Sequence, residues 1–170
     1  MSVETLFLEY SVDQLRQFTD RIEVCLAKLT EEQIWARGGE HENAVGNLVL
    51  HLAGNVRQWI VTALGENPVV RDRDAEFNAR GGFTAPELTA KLRDTVEQAV
   101  HVIAGLDEAR LTKMYEIQIY RVSGVEAVYH VVEHFAQHTG QIMFITKMLT
   151  GGDLGFFRHL SAGADSKQVP

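Results

Sequence analysis

The stretch Tyr129-His130-Val131-Val132-Glu133-His134-Phe135-Ala136-Gln137-His138-Thr139-Gly140-Gln141-Ile142 sets three histidines four residues apart in a segment of helical period. In an α-helix, residues four apart lie one above the other, so each H-x-x-x-H pair aims two imidazoles at one spot and can chelate one ion. His130 and His138 are eight residues apart, about 12 Å along the axis at ~1.5 Å per residue, whereas metal–imidazole bonds are only about 2 Å. One ion cannot take all three. Steps of three and four through Ala127, Val131, His134, His138, Ile142 and Ile145 describe the buried face of a bundle helix. They select His134 and His138 as the inward pair. His130 falls one position off that line, which suits the rim of a pocket or the support of a ligand better than direct ligation.

Working outward, Ser123-Gly124-Val125-Glu126 has the form of a capping box and Gly151-Gly152 that of a helix stop, which predicts a helix over 123–150. Three more helices are predicted, over 4–29, 44–64 and 85–105. The first carries Leu8, Leu15, Ile22 and Leu29 every seven positions, with Phe18 and Cys25 between them. The second has Asn43 as its cap, Leu48, Leu52, Val56, Trp59 and Ala63 on one face, and Gly65 placed to end it in a left-handed conformation. The third opens on Thr84-Ala85-Pro86-Glu87 and buries Leu88, Leu92, Val96, Ala99 and Ile103.

Thr30-Glu31-Glu32-Gln33 predicts a short extra turn. Residues 66–83 are polar and read as a long crossover, a connection that in bundles usually alters helix order. Residues 115–120 alternate like a strand, but one strand cannot form a sheet, so this part is read as extended loop. The fold expected is all-α, a four-helix bundle with a long crossover, in one domain over 1–170.

A formal charge of −7 argues against a broad phosphate-binding surface, so nucleic acid is not an expected partner. The N-terminus lacks the features of a signal peptide and no stretch nears the roughly 20 apolar residues of a membrane span, so a cytoplasmic protein is expected, without membrane association. The single cysteine, Cys25, shares a helical stripe with Ser11 and Phe18 and reads as a buried core thiol.

Two histidines hold a metal weakly, and catalytic zinc sites use three protein ligands with a fourth position open. His51, between Leu48 and Leu52 on the second helix, is the candidate third ligand. Asn47, Asn55 and Gln58 extend a polar strip along the same edge, which an ion with bound water would satisfy. Isolated histidines are more often hydrogen-bonded core or surface residues, and His41, His101 and His159 are read that way. H-E-x-x-H, the Glu-x-x-His of di-iron bundles and a Gly-rich phosphate loop are all absent.

In these residues the chain resembles the DinB/YfiT-like superfamily of metalloenzymes. The likeness rests on Gly46-Asn47-Leu48-Val49-Leu50-His51-Leu52-Ala53-Gly54-Asn55-Val56-Arg57-Gln58-Trp59-Ile60, on His134-Phe135-Ala136-Gln137-His138-Thr139-Gly140-Gln141-Ile142, and on Arg71-Asp72-Arg73-Asp74-Ala75-Glu76-Phe77. The resemblance implies a four-helix bundle, often a homodimer, with a divalent ion bound by His51, His134 and His138. It also implies kinship with transferases or isomerases that use low-molecular-weight thiols such as bacillithiol, mycothiol or glutathione.

Two functions follow. The first is a metal-dependent enzyme, transferase or hydrolase-like, in which an all-neutral ligand set leaves the full divalent charge to activate a water or thiol against a small electrophilic substrate. Asn55, Gln58 and His130 are its candidate pocket contacts. The alternative is a non-enzymatic dimeric bundle whose ion is structural or sensory. Three imidazoles are compatible with zinc, nickel or iron(II).

Overall fold

Four long helices carry the periodic segments: α1 Val3–Leu26, α3 Val45–Val56, α5 Ala85–Ala104 and α7 Gly124–Thr150. The structure is a computed structural model and describes residues 1–158. Between the long helices lie α2 (Glu31–Trp35), α4 (Arg73–Asn78), α6 (Glu108–Thr112) and a two-stranded hairpin, β1 (Met114–Ile117) and β2 (Tyr120–Ser123). With the π-helical continuation of α3 to Leu64 counted in, the helix boundaries lie within three residues of those predicted. α1 and α3 each pack against both α5 and α7. One apolar core runs through them, with Leu15, Ile22, Leu52, Leu92, Phe135 and Ile142 fully buried. No described helix is long and apolar enough to cross a membrane.

Caps fix the ends as the sequence predicts for α2, α5 and α7. Thr30, Thr84 and Ser123 each accept the backbone N–H three residues on, and Gln33, Glu87 and Glu126 reach back to the cap. Gly151 ends α7 at φ 62. Cys25 is fully buried, and that burial pushes its thiol pKa up.

The second bundle helix departs from expectation at both ends. Asn43 is exposed and does not cap it; instead Asn47 accepts the Ala44 N–H at 3.2 Å from inside the first turn. At the other end, α3 continues as a π-helical stretch, Arg57–Leu64, and Gly65 donates to the Ile60 carbonyl five residues back. Gly65 is right-handed at φ −79, and the left-handed residue is Glu66 at φ 54. Glycine is needed at 65 for space: a Cβ there would collide with the Val61 carbonyl oxygen and lie 2.9 Å from a Val102 methyl.

The region expected as extended loop is a hairpin. Met114 pairs with Ser123 and Ile117 with Tyr120, while Tyr115 and Ile117 are buried. Its turn, Gln118-Ile119, lacks the Gly or Asn that usually marks a two-residue turn, and Gln118 itself takes φ 57. The missing turn signal hid the second strand. The crossover, in turn, contains α4, started by Asp72 accepting the Ala75 N–H at 2.9 Å.

Candidate metal centre

His51 on α3 and His134 and His138 on α7 converge. His134 Nε2 lies 3.1 Å from His51 Nε2 and 3.1 Å from His138 Nε2. A neutral ring nitrogen carries either one proton or one lone pair, so His134 Nε2 cannot make good hydrogen bonds to both neighbours. An ion at this point would use all three lone pairs. Ligand nitrogens bound at about 2.0–2.1 Å to a tetrahedral ion stand about 3.3 Å apart, and the three donor atoms here all lie within 4.8 Å of one another. The residues present fit a divalent metal.

The outer ring nitrogens support this orientation. His51 Nδ1 donates to Glu76 Oε2 at 3.2 Å, and His138 Nδ1 to Gln141 Oε1 at 2.7 Å. Both contacts assign the proton to Nδ1 and leave the Nε2 lone pair facing inward. His134 Nδ1 is buried and has no hydrogen-bond partner among the described residues.

Glu76 is itself gripped by Arg71, with Nε to Oε1 and Nη2 to Oε2 both at 2.7 Å. Arg71 Nη2 is also 3.1 Å from His51 Nδ1, but two donors cannot bond to each other, so the His51 proton goes to Glu76. Arg71 Nη1 donates to Gln58 Oε1 at 2.9 Å.

The crossover helix α4 delivers Glu76, and α3 is shaped to receive it. A Cβ on Gly54 would collide with Glu76 Oε1, 2.7 Å from its Cδ and 2.8 Å from Arg71 Nε. Only glycine lets the ion pair lie on the helix one turn after His51. Asn47 anchors the same segment, donating to the carbonyls of Glu76 at 2.8 Å and Ala79 at 3.0 Å. Its polar atoms are thus satisfied by backbone and by Arg37, whose Nη2 donates to Asn47 Oδ1 at 2.6 Å, and not by an ion and its water.

Burial keeps His134 and His138 neutral. Burial, with His138 and His51 as positive neighbours if protonated, lowers the pKa of His134 to about 3. Burial also lowers His138, against the opposing hydrogen bond that it donates to Gln141, and it lowers His130 against Glu133. For Glu76, burial alone would raise the carboxyl, but the bonds from Arg71 and His51 outweigh it and hold the group below the usual carboxylate range.

The inward seam of α7 needs correcting. Its buried line passes through Ala127, Val131, Phe135, Thr139, Ile142 and Thr146, whereas His134, His138 and Ile145 are only half-buried beside it. The histidines line the groove between α7 and α3 rather than the bundle centre. His130 belongs to the same half-buried row and remains outside the triad, its ring 4.0 Å from Trp59 and 5.6 Å from His134 between centroids.

A cavity of about 440 Å³ opens beside His51 and His134, lined also by Asn55, Trp59, Tyr120 and His130. Asn55 is buried, and its Oδ1 has no partner among the described residues. Gln58 faces the other side of Arg71 and accepts from Gln118 Nε2 at 2.8 Å, tying the hairpin tip to the outer ligand network. His41 and His101 are exposed, and His159 lies outside the described residues.

A family model described as a protein of unknown function, DUF1572, matches residues 2–163. The chain belongs to the DUF1572 family. Among solved structures, this DUF1572 protein is similar to a conserved protein from Enterococcus faecalis, with a TM-score of 0.73 and 15% identity, covering 89% of this chain and 99% of that one. It is also similar to a DinB-like protein, YjoA, from Bacillus subtilis, with a TM-score of 0.65 and 16% identity over 87% of this chain and 97% of that one. The DUF1572 chain therefore has the DinB-like all-α fold. No curated protein matches it.

Sequence reading assigned no role to Arg71, Glu76, Gly54 or Gln141. Two local signals point to them. Gly54 is a glycine inside a strongly apolar helix, a mark of close approach, and Gln141 follows His138 by three residues on one helix face.

Proposed function

We propose that this DUF1572 protein is a metal-dependent enzyme, transferase or hydrolase-like, acting on a small electrophilic substrate in the cavity beside His51 and His134. The observation that carries this reading is the convergence of three Nε2 atoms on one point bordering an open cavity. A divalent ion held by neutral imidazoles would polarise a water or a low-molecular-weight thiol and lower its pKa.

The chain's own residues hold and orient. Glu76 and Gln141 fix the imidazole tautomers, and Arg71 keeps Glu76 ionised beside His51. Trp59 and His130 form an aromatic wall, while the unpartnered Asn55 Oδ1 offers an acceptor for an N–H or O–H of the substrate. The thiol rests on the family resemblance, and three neutral imidazoles accommodate zinc, nickel or iron(II).

Elemental analysis of purified wild type and His138→Ala tests the site. About one ion per chain in the wild type and a large loss in the variant is the expected result. Equal and negligible metal in both would overturn it. Melting with and without chelator then separates the catalytic from the structural ion, since a structural ion takes most of the stability with it.

A further inference from the structure

On the far side of the Arg71–Glu76 pair from the histidines lies a second cavity, of about 280 Å³, between α3, the crossover and α5. Its walls are largely apolar, from Leu50, Ala53, Val69, Ala75, Ala79 and Phe83. An apolar cavity of roughly 150 Å³ already takes a benzene, so this one has room for a ligand with a hydrocarbon body.

Among the charged groups on its lining, cations outnumber anions. Arg57, Arg71 and Lys91 face Asp72 and Glu76. Arg71 and Glu76 neutralise each other, and one oxygen of Asp72 is engaged in capping α4. That leaves Arg57 and Lys91, neither of which is paired with a carboxylate among the described residues. Two cations without carboxylate partners thus border one apolar cavity. Arg57 is held in place by neutral groups, donating to Thr95 Oγ1 at 3.0 Å and Gln98 Oε1 at 3.4 Å.

The π-helical stretch contributes a further polar atom. Thr19, Thr95, Thr139 and Thr146 all donate to the carbonyl four residues back, as helical threonines do. Thr62, within Arg57–Leu64, does not: its Oγ1 is buried without a partner, and it lines this cavity. Departure from α-helical spacing is a frequent mark of functional positions. Here it leaves a buried hydroxyl on the same wall as Arg57.

We propose that this second cavity binds a small amphipathic carboxylate, its hydrocarbon part against Leu50, Ala53 and Phe83 and its anionic head held by Arg57 and Lys91, with Thr62 as an additional hydrogen-bonding group. The site uses none of the three histidines and does not depend on the metal.

Isothermal titration with octanoate as the probe tests it, using wild type, Arg57→Gln, Lys91→Gln, and His138→Ala as the metal-site control. Saturable one-site binding is expected in wild type and in His138→Ala. Each lost cation should weaken it about tenfold or more, and octanol should bind more weakly than octanoate. Arg57 also bridges α3 to α5, so circular dichroism accompanies that variant. Exposed Lys91→Gln carries the test if Arg57→Gln unfolds. Absence of saturable octanoate binding, equal binding in the folded cation variants, or octanol matching octanoate overturns the proposal. Loss of binding in His138→Ala overturns its independence from the metal centre.

Discussion

At the scale of single residues, the three-histidine cluster is oriented by side chains that stand outside it. Glu76 holds the His51 proton on Nδ1, and an outer hydrogen bond of this type is typically worth about 10–100-fold in metal affinity. Glu76→Gln, measured by competition with a chelating dye, should weaken binding by that factor while the chain stays folded. Gly54→Ala should weaken metal binding similarly. Its methyl group occupies the space of the Glu76 carboxylate, which must swing off His51 to relieve the collision. Unchanged affinity in Gly54→Ala would show that Glu76 is not needed where the structure puts it.

At the scale of elements, capping boxes and apolar periodicity made the long helices legible, because both are local in sequence. Ser123→Ala removes the cap of the helix that carries two ligands, and urea denaturation should show a loss of about 1 kcal/mol. The metal stoichiometry should not change, since His134 lies nearly three turns further on. What local patterning misjudged were elements set by distant partners. The alternation of Tyr115 and Ile117 is that of a strand, but only pairing across an unmarked Gln118-Ile119 turn makes it one. The α7 seam was misplaced by one position because a half-buried imidazole in a groove and a buried side chain in a core share the same period.

For the whole molecule, the metal-free protein should lose stability in acid, with a predictable window. His134 titrates near about 3 when folded and near ~6.5 when unfolded, so between these values the unfolded chain binds a proton that the folded chain refuses. The contribution is therefore complete above ~6.5 and is lost as pH falls toward 3. His138 and His130, also lowered by burial, add in the same direction. Glu76, lowered below its ordinary value, contributes above that value and loses its share only as pH falls beneath it. The urea midpoint of chelated protein should thus fall steadily between about pH 7 and pH 4, and a flat midpoint would contradict the burial of these rings. Adding zinc or nickel at fixed pH should raise the melting temperature, and go on raising it with the logarithm of free ion once the site is filled, because an ion that binds only the folded state shifts the equilibrium toward it.

The i, i+4 spacing of His134 and His138 by itself determined that two imidazoles would meet, since helical rise and twist are properties of the local backbone. Apolar periodicity, with capping boxes at α5 and α7, likewise determined the four helices. Only the tertiary structure decided that the pair faces the α3 groove beside the core, that His51 completes it, and that Glu76 arrives from the crossover onto Gly54. His51 meets Glu76 across 25 positions of chain and His134 across 83, and these contacts are not local. Their geometry follows from how helices pack and where a loop returns, which no short window of residues specifies.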